Sequence, residues 1–256
     1  MQDQQQTRTS FFIDAGWLLV FGLASSWWCL SASQQLGPVF DESIYMQEGL
    51  THWRTGSYQP LLRLGTMPLQ VDVQTLPLYL WEKWQGHEID VRRDLDTVLP
   101  YARAATLLFW WLLLLYGMLA GRQLAGPWGG RVAVAFLACE PSLLAHASLA
   151  TTDICVTACL LALVYHFRIG REANFFWRCL FPAFWFGLAF LAKASGPIYA
   201  LVCLGIIELE RLARQGRLWL STPASWWARW QHSWNQCQSC RRDLHSFPTR
   251  RSSDLN

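Results

Sequence analysis

Of the 256 residues, 52% are apolar and only 15% are charged, and sixteen are tryptophan, which lies outside the usual range of water-soluble domains. The formal net charge is +3, and four arginines against two aspartates in the last sixteen residues supply two of those charges, so no basic surface for nucleic acid remains. The chain reads as an all-α, polytopic membrane protein.

In chain order, the first apolar run covers residues 11–30. It is too long for the core of a secretory signal, lacks a small-residue cleavage site and is followed by further runs, so it is expected to stay as a span. The segment 31–100 follows, and it carries tryptophans at 53, 81 and 84. Met46, Leu50 and Trp53 recur at i, i+4 and i+7, the spacing of a helix lying with one face on the membrane. Further spans are expected at 104–119, 132–148, 154–167, 175–191 and 197–209, about six transmembrane helices in all. The last two are separate because 175–209 would run about 52 Å as one helix, and "KASGP" at its centre supplies turn chemistry.

Arginine placement sets the expected orientation. With the N-terminus inside, Arg8, Arg122, Arg131, Arg168, Arg171, Arg178, Arg211, Arg214 and Arg217 fall on cytoplasmic segments, while the short outer turns hold only Lys193. Residues 31–100 then form a long first extracytoplasmic loop with short interfacial helices. Residues 1–218 are read as one transmembrane module. Trp226, Trp230 and Trp234 mark a cytoplasmic amphipathic segment at 219–240. Residues 241–256 break with everything before them, and Asp243 to Asp254 matches the in-frame translation of a widely used short-read sequencing adapter. That stretch is excluded from fold reasoning as an artefact, and the natural protein is expected to continue beyond this point.

Six cysteines lie in or beside apolar runs, where a thiol behaves as a small hydrophobe, and Cys237 and Cys240 form a lone CxxC pair. No disulfide framework is expected.

The residues with chemical potential sit at span ends. Asp41 and Glu42 open "FDESIYMQEGL" just beyond the first span. An acid there either caps a helix and complements its dipole or serves a site, and the local sequence does not choose. Asp153, in "SLATTDICV", has the same two readings. The expected topology brings all three carboxylates to one side of the membrane, where they supply a general base and an acidic partner for a hydrogen bond or a cation. Lys193 is either a snorkelling lysine or a cation for a lipid-linked phosphate. His146 either packs between helices or faces the site. Arg54, Arg63, Arg92, Arg93 and Arg103 are unranked candidates for phosphate.

In this order, the Asp-Glu pair opening a long first outer loop, "P.LLAH..LATTD" and "GLAFLAK.SG" together resemble the GT-C superfamily of membrane glycosyltransferases. Within it, the chain is most similar to bacterial family 39 enzymes, RgtA/B/C/D-like proteins and protein O-mannosyltransferases, over residues 11–209. The resemblance implies inverting transfer of a sugar from a polyprenyl-phosphate donor to a hydroxyl of a lipid, glycan or protein acceptor at the extracytoplasmic face. It implies Asp41 as the catalytic carboxylate with Glu42 orienting or assisting. Asp153, with His146, would position the acceptor or a cation, and Lys193 and Arg63 would meet the donor phosphate. No cofactor is specified, and a divalent cation is left open. The branch implies a bacterial inner membrane. Two other classes remain: a transporter or flippase of lipid-linked sugars, which would place ionisable groups near the bilayer midplane, and a noncatalytic membrane scaffold in which Asp41 and Asp153 only cap helices.

Overall fold

The computed structural model describes residues 2–214, and every element among them is helical. In chain order these are α1 (Gln2–Gln35), α2 (Phe40–Thr55), α3 (Gln59–Arg63), α4 (Pro68–Gln85), α5 (Val91–Cys139), α6 (Pro141–Ala147), α7 (Asp153–Ile169), α8 (Phe181–Ala192) and α9 (Gly196–Arg214). A 3-10 turn (Gly170–Glu172) and a π-helical turn (Phe176–Leu180) lie between α7 and α8. Met1–Gly205 forms one compact unit, and the described part of the second unit, 206–214, carries the ion pairs Arg211–Glu208 and Arg214–Glu210. The segments 219–240 and 241–256, with Cys237 and Cys240, lie outside the described residues. The six cysteines inside them are free thiols.

Several boundaries follow from residue chemistry. Proline sits in the first turn of α4 and of α6, where its missing N–H costs nothing. Asp90 caps α5 by accepting from the Arg92 N–H, and Glu140 caps α6 by accepting from the Leu143 N–H at 2.6 Å.

The 49 residues of α5 are not one rod. Ala125 (φ −139°, ψ 23°) and Gly126 (φ 72°, ψ −166°) break it just before Pro127, in a backbone region that Gly126 reaches because it has no Cβ. The two arms fold back on each other: a Cβ on Gly121 would stand 2.5 Å from the Gly129 carbonyl oxygen, and one on Gly117 would stand 2.3 Å from the Leu137 side chain. Glycines at the crossing let the arms approach backbone to backbone, as small residues do between helices in lipid.

α1 packs antiparallel to the first arm of α5, and polar residues fix the register. Trp110 Nε1 donates to Ser25 Oγ at 2.9 Å and Trp111 Nε1 to Ser26 Oγ at 3.1 Å. At one end of α1, Asp14 pairs with Arg122 and with Arg131 Nε, the latter at 2.8 Å, and Trp17 Nε1 donates to the Arg131 carbonyl. At the other end, the Ser33 carbonyl accepts from Arg103 Nη1 at 2.6 Å. Asp14 and Ser33 are nineteen residues apart, as are Arg103 and Arg122, which is about 28 Å of helix and close to the thickness of a bilayer's hydrocarbon core. Neither helix carries a charge between these points.

The main core gathers Phe109, Trp110, Leu113 and Leu114 of α5 with Cys155 and Cys159 of α7 and with Ala189 and Ala192 of α8. On the other side α1 leaves Phe12, Val20, Leu23, Trp27 and Trp28 exposed, a surface suited to lipid. By length and hydropathy two helices suffice to cross a membrane, Ser10–Gln35 and Val91–Cys139, and Phe176–Ala192 is a shorter apolar helix. The fold is therefore all-helical with two candidate spans. The expected spans 104–119 and 132–148 both start within α5, one in each arm, and those at 154–167, 175–191 and 197–209 coincide with α7, the π turn plus α8, and α9.

The apolar stripe of α2 faces elsewhere than expected. Met46 and Leu50 are fully buried with Leu78 of α4 and Val98, Leu99 and Ala102 of α5, while Trp53 donates to Thr75 Oγ1 and stacks on Tyr79. The stripe packs against protein rather than against the membrane surface, because α4 and the start of α5 fold over it.

Replacing Gly121 with Leu is expected to lower stability by at least about 1–3 kcal/mol, the usual cost of overpacking, because the new side chain meets backbone that has no slack. Thermal inactivation in mild detergent, compared with that of Gly16→Leu at an open position, measures the difference.

Candidate functional site

Glu42 and Arg103 form the polar centre of the region beyond α1. Glu42 is 0% exposed and Arg103 1%. Arg103 Nε and Nη2 donate to the two carboxylate oxygens at 2.8 and 2.7 Å, and its remaining N–H groups go to the carbonyls of Ser33, Leu36 and Gly37 at 2.6, 2.9 and 2.9 Å. All five donors of the guanidinium are used. Glu42 in turn accepts from the Val39 N–H at 2.8 Å, within its own first turn, and from the Ala150 N–H at 2.8 Å, in the turn between α6 and α7. Four donors fill its two oxygens, leaving no spare acceptor position. Burial alone would push this carboxyl up, but the hydrogen bonds from Arg103, Val39 and Ala150 and the Arg103 charge outweigh it and hold Glu42 below the ordinary carboxylate value.

Asp41, one residue earlier, is exposed and makes no hydrogen bond or ion pair among the described residues. It stands at the second position of α2, where a carboxylate suits the helix dipole, yet Val39 is the N-cap and the backward reach to its N–H comes from Glu42. Because Glu42 binds Ala150, the first turn of α2 is held against the turn that leads into α7, whose first residue is Asp153.

Asp153 is bracketed. Lys193 Nζ donates to Oδ1 at 2.5 Å, and His146 Nδ1 lies 3.5 Å from Oδ2. The three side chains come from the start of α7, the extended residue after α8 and the last turn of α6, and all are partly open to solvent. Burial alone would lower the Lys193 ammonium, but the Asp153 carboxylate overcomes it and raises it above its ordinary value, so this lysine stays charged. Tyr45 stands one helical turn beyond Asp41 on the same face of α2. Burial pushes its phenol above the ordinary value, the Asp41 and Asp153 charges add to the rise, and Thr66 and the Lys193 charge oppose it.

The structure thus brings Asp153, His146 and Lys193 together, and the Glu42–Ala150 bond ties the first turn of α2, which carries Asp41, to the turn before Asp153. Arg63 is exposed at the end of α3, three residues before Thr66, and meets no partner among the described residues. Two of the unranked arginines are not available for a phosphate: Arg103 is spent on Glu42, and Arg54 pairs with Glu82 and lies near Glu88. Tyr45 and Thr66 escaped the sequence reading because neither belongs to a motif. The one available signal was the i, i+4 spacing of Tyr45 from Asp41. A cleft of about 330 Å³ lined by Gln47, Thr51, Arg54, Glu88, Asp90 and Arg92 includes none of Asp41, His146, Asp153 and Lys193. Among the described residues no three His, Cys, Asp or Glu side chains converge as a metal site.

A model of the family described as dolichyl-phosphate-mannose-protein mannosyltransferase matches residues 77–228, more than half of the chain. The chain belongs to this family. No curated protein and no solved structure matches it. Membership makes the chain a membrane glycosyltransferase by family, one that uses a lipid-linked sugar donor. The matched segment of this mannosyltransferase family contains Arg103, His146, Asp153 and Lys193, while Asp41, Glu42, Tyr45 and Arg63 precede it.

The Glu42–Arg103 pair carries a stability prediction. Arg103→Ala leaves a buried carboxylate and the carbonyls of Ser33, Leu36 and Gly37 without their cation and is expected to cost about 3–5 kcal/mol, read as a fall in the detergent unfolding midpoint. The pH dependence has a fixed sign. Because the folded carboxyl titrates below its ordinary value of 4.5, the stabilisation is full above that value and is lost as pH falls through the lower, folded value. Glu42→Gln is expected to weaken the acid sensitivity of unfolding below about pH 4.5.

Proposed function

We propose that this protein transfers a sugar from a polyprenyl-phosphate-linked donor to an acceptor hydroxyl at the extracytoplasmic membrane face, with inversion, using Asp41 as general base. The observation that carries this reading is the pairing of opposites at neighbouring positions. Glu42 is locked in a buried ion pair, whereas Asp41 is exposed and unpaired among the described residues, on a helical turn that Glu42 ties to the turn before Asp153.

The chemistry asks little more of the protein. Asp41 accepts the proton of the acceptor hydroxyl as its oxygen attacks the anomeric carbon. The bond from that carbon to the phosphate oxygen breaks on the opposite side, and the lipid phosphate leaves with the electron pair, so one displacement inverts the centre. Lys193 and Arg63 supply cations for the phosphate oxygens. Asp153, with His146, positions the acceptor or a divalent cation. Glu42 orients, by fixing the first turn of α2 against the turn at Ala150.

The same reading places six crossings: α1, the two arms of α5 with α6 completing the second, α7, the π turn with α8, and α9. The Glu42 and Asp153 clusters then share the outer side, and the Asp14 cluster lies inside with the arginine-rich turns. The setting we favour is a bacterial inner membrane, with a lipid, glycan or protein as acceptor. A transporter of lipid-linked sugars is disfavoured by the charge-free stretches 15–32 of α1 and 104–121 of α5, because transport sites place ionisable groups near the midplane.

Asp41→Asn is expected to reduce transfer by about 10²–10⁴-fold, the usual share of a general base, with donor binding retained. The assay follows release of lipid phosphate from polyprenyl-phosphate sugar in proteoliposomes. Transfer by Asp41→Asn at the wild-type rate would remove the assignment. Lys193→Ala is expected to raise the KM for the donor more than it lowers kcat, and an unchanged KM would take the phosphate away from this lysine.

A further inference from the structure

The end of α1 opposite Arg103 holds a surplus of positive charge that the proposed chemistry does not use. Asp14 is buried and accepts from Arg122 on the first arm of α5 and, at 2.8 Å, from Arg131 Nε on the second. Between Asp96 and Glu140 the chain carries no acidic residue, so two guanidiniums share this one carboxylate. Among the described residues each gives it one N–H and makes no other hydrogen bond. Gly130 seats Arg122 against the second arm, since a Cβ there would stand 2.6 Å from the Arg122 Cγ. The two cations are thus held side by side, and two arginines less one aspartate leave one positive charge.

The surroundings of that charge are aromatic and apolar. The Arg131 side chain is 9% exposed, its guanidinium lies 4.9 Å from the centre of the Trp128 ring, and its carbonyl accepts from Trp17 Nε1. The Trp17 and Trp128 rings meet edge to face at 6.3 Å. Arg122 is more open, its side chain 37% exposed. From the cluster, Trp128, Val132 and Phe136 recur at i, i+4 and i+8 along the second arm of α5, and all three are exposed. Tryptophan beside arginine is the composition of a boundary between hydrocarbon and lipid headgroups, and an apolar stripe leading away from it suits an acyl chain. At such a boundary the repulsion between two guanidiniums is poorly screened, which favours one more anion. A phosphodiester carries the single negative charge that makes the cluster neutral, and its oxygens accept in parallel from a planar guanidinium.

We propose that this end of the α1–α5 bundle binds one anionic glycerophospholipid, whose phosphodiester bridges Arg122 and Arg131 and whose acyl chain lies along Trp128, Val132 and Phe136. The lipid completes the clamp on Asp14 and takes no part in sugar transfer. The site is independent of the roles given to Asp41, Asp153 and Lys193, and it needs only the membrane setting of the family.

The test places the intact chain in phosphatidylcholine nanodiscs with graded fractions of phosphatidylglycerol and reads the midpoint of thermal unfolding. The wild-type midpoint is expected to rise with the anionic fraction and to level off, as a saturable site requires. Arg122→Gln, which leaves Arg131 on Asp14, is expected to need at least about tenfold more phosphatidylglycerol for half of that rise, the value of a hydrogen bond between charged groups. Arg168→Gln removes the same charge at an exposed position near the end of α7 and is expected to shift half-saturation by no more than about fivefold, the share of one arginine in a diffuse surface field. Asp14→Asn frees both guanidiniums and is expected to lower the fraction needed. If Arg122→Gln does not fold, Arg122→Lys keeps the charge beside Asp14 without the planar fork, and a weakening beyond that of Arg168→Gln is again expected. Equal shifts at positions 122 and 168 would overturn the site in favour of a diffuse field, as would a rise without saturation or weaker binding by Asp14→Asn. An equal rise with inorganic phosphate in phosphatidylcholine alone would overturn the lipid as the source of the anion.

Discussion

A single buried guanidinium organises the part of the molecule where chemistry is proposed. Arg103 closes the end of α1 by taking the Ser33 carbonyl of its last turn and those of Leu36 and Gly37 just beyond it, and it closes the start of α2 by holding Glu42. Glu42 extends the connection to Ala150. Three parts of the chain far apart in sequence, the α1–α2 junction, α5 and the turn before α7, are thus fixed by one arginine and one glutamate. The net contribution of such a pair to stability is modest, because desolvating two charges offsets most of their attraction, but removing either partner is costly. The pair acts mainly as a geometric constraint: it determines which way the first turn of α2 points, and hence where Asp41 stands.

The arrangement also explains how two adjacent acids take different parts. On a helix, consecutive side chains diverge by about 100°, so a rotation that buries Glu42 turns Asp41 toward the Tyr45 face. One carboxylate is saturated with donors and the other is left with none. The second cluster is built the same way in reverse, since Asp153 is partly satisfied by Lys193 and His146 while all three stay accessible. A saturated anchor next to an unsaturated group is a recurrent way of fixing a reactive side chain without neutralising it.

Much of the helical framework was legible. The apolar runs mark α1, α5, α7, α8 and α9, and "KASGP" marks the turn at Lys193, because lipid-scale hydrophobicity and turn chemistry are local properties. The acidic residues at span ends were visible for the same reason. The Glu42–Arg103 pair was not, since a partner 61 residues away leaves no trace in spacing. Arg103 read as one of five unranked arginine candidates for a phosphate. The stripe of Met46, Leu50 and Trp53 was correctly periodic and wrongly partnered, because an amphipathic pattern states that a face is buried without stating whether lipid or another helix covers it.

The clamps share an order along the chain. Asp14 precedes Arg122 by 108 residues, Glu42 precedes Arg103 by 61, and Asp153 precedes Lys193 by 40. During synthesis each acid therefore emerges well before its cation. Asp14 is the most demanding case, since a lone carboxylate in a membrane helix is unfavourable. The nascent α1 lacks its electrostatic complement until the arms of α5 have been made, and its final depth is set only when Arg122 and Arg131 arrive. Assembly of this bundle is in that sense retroactive: later helices complete the insertion of the first.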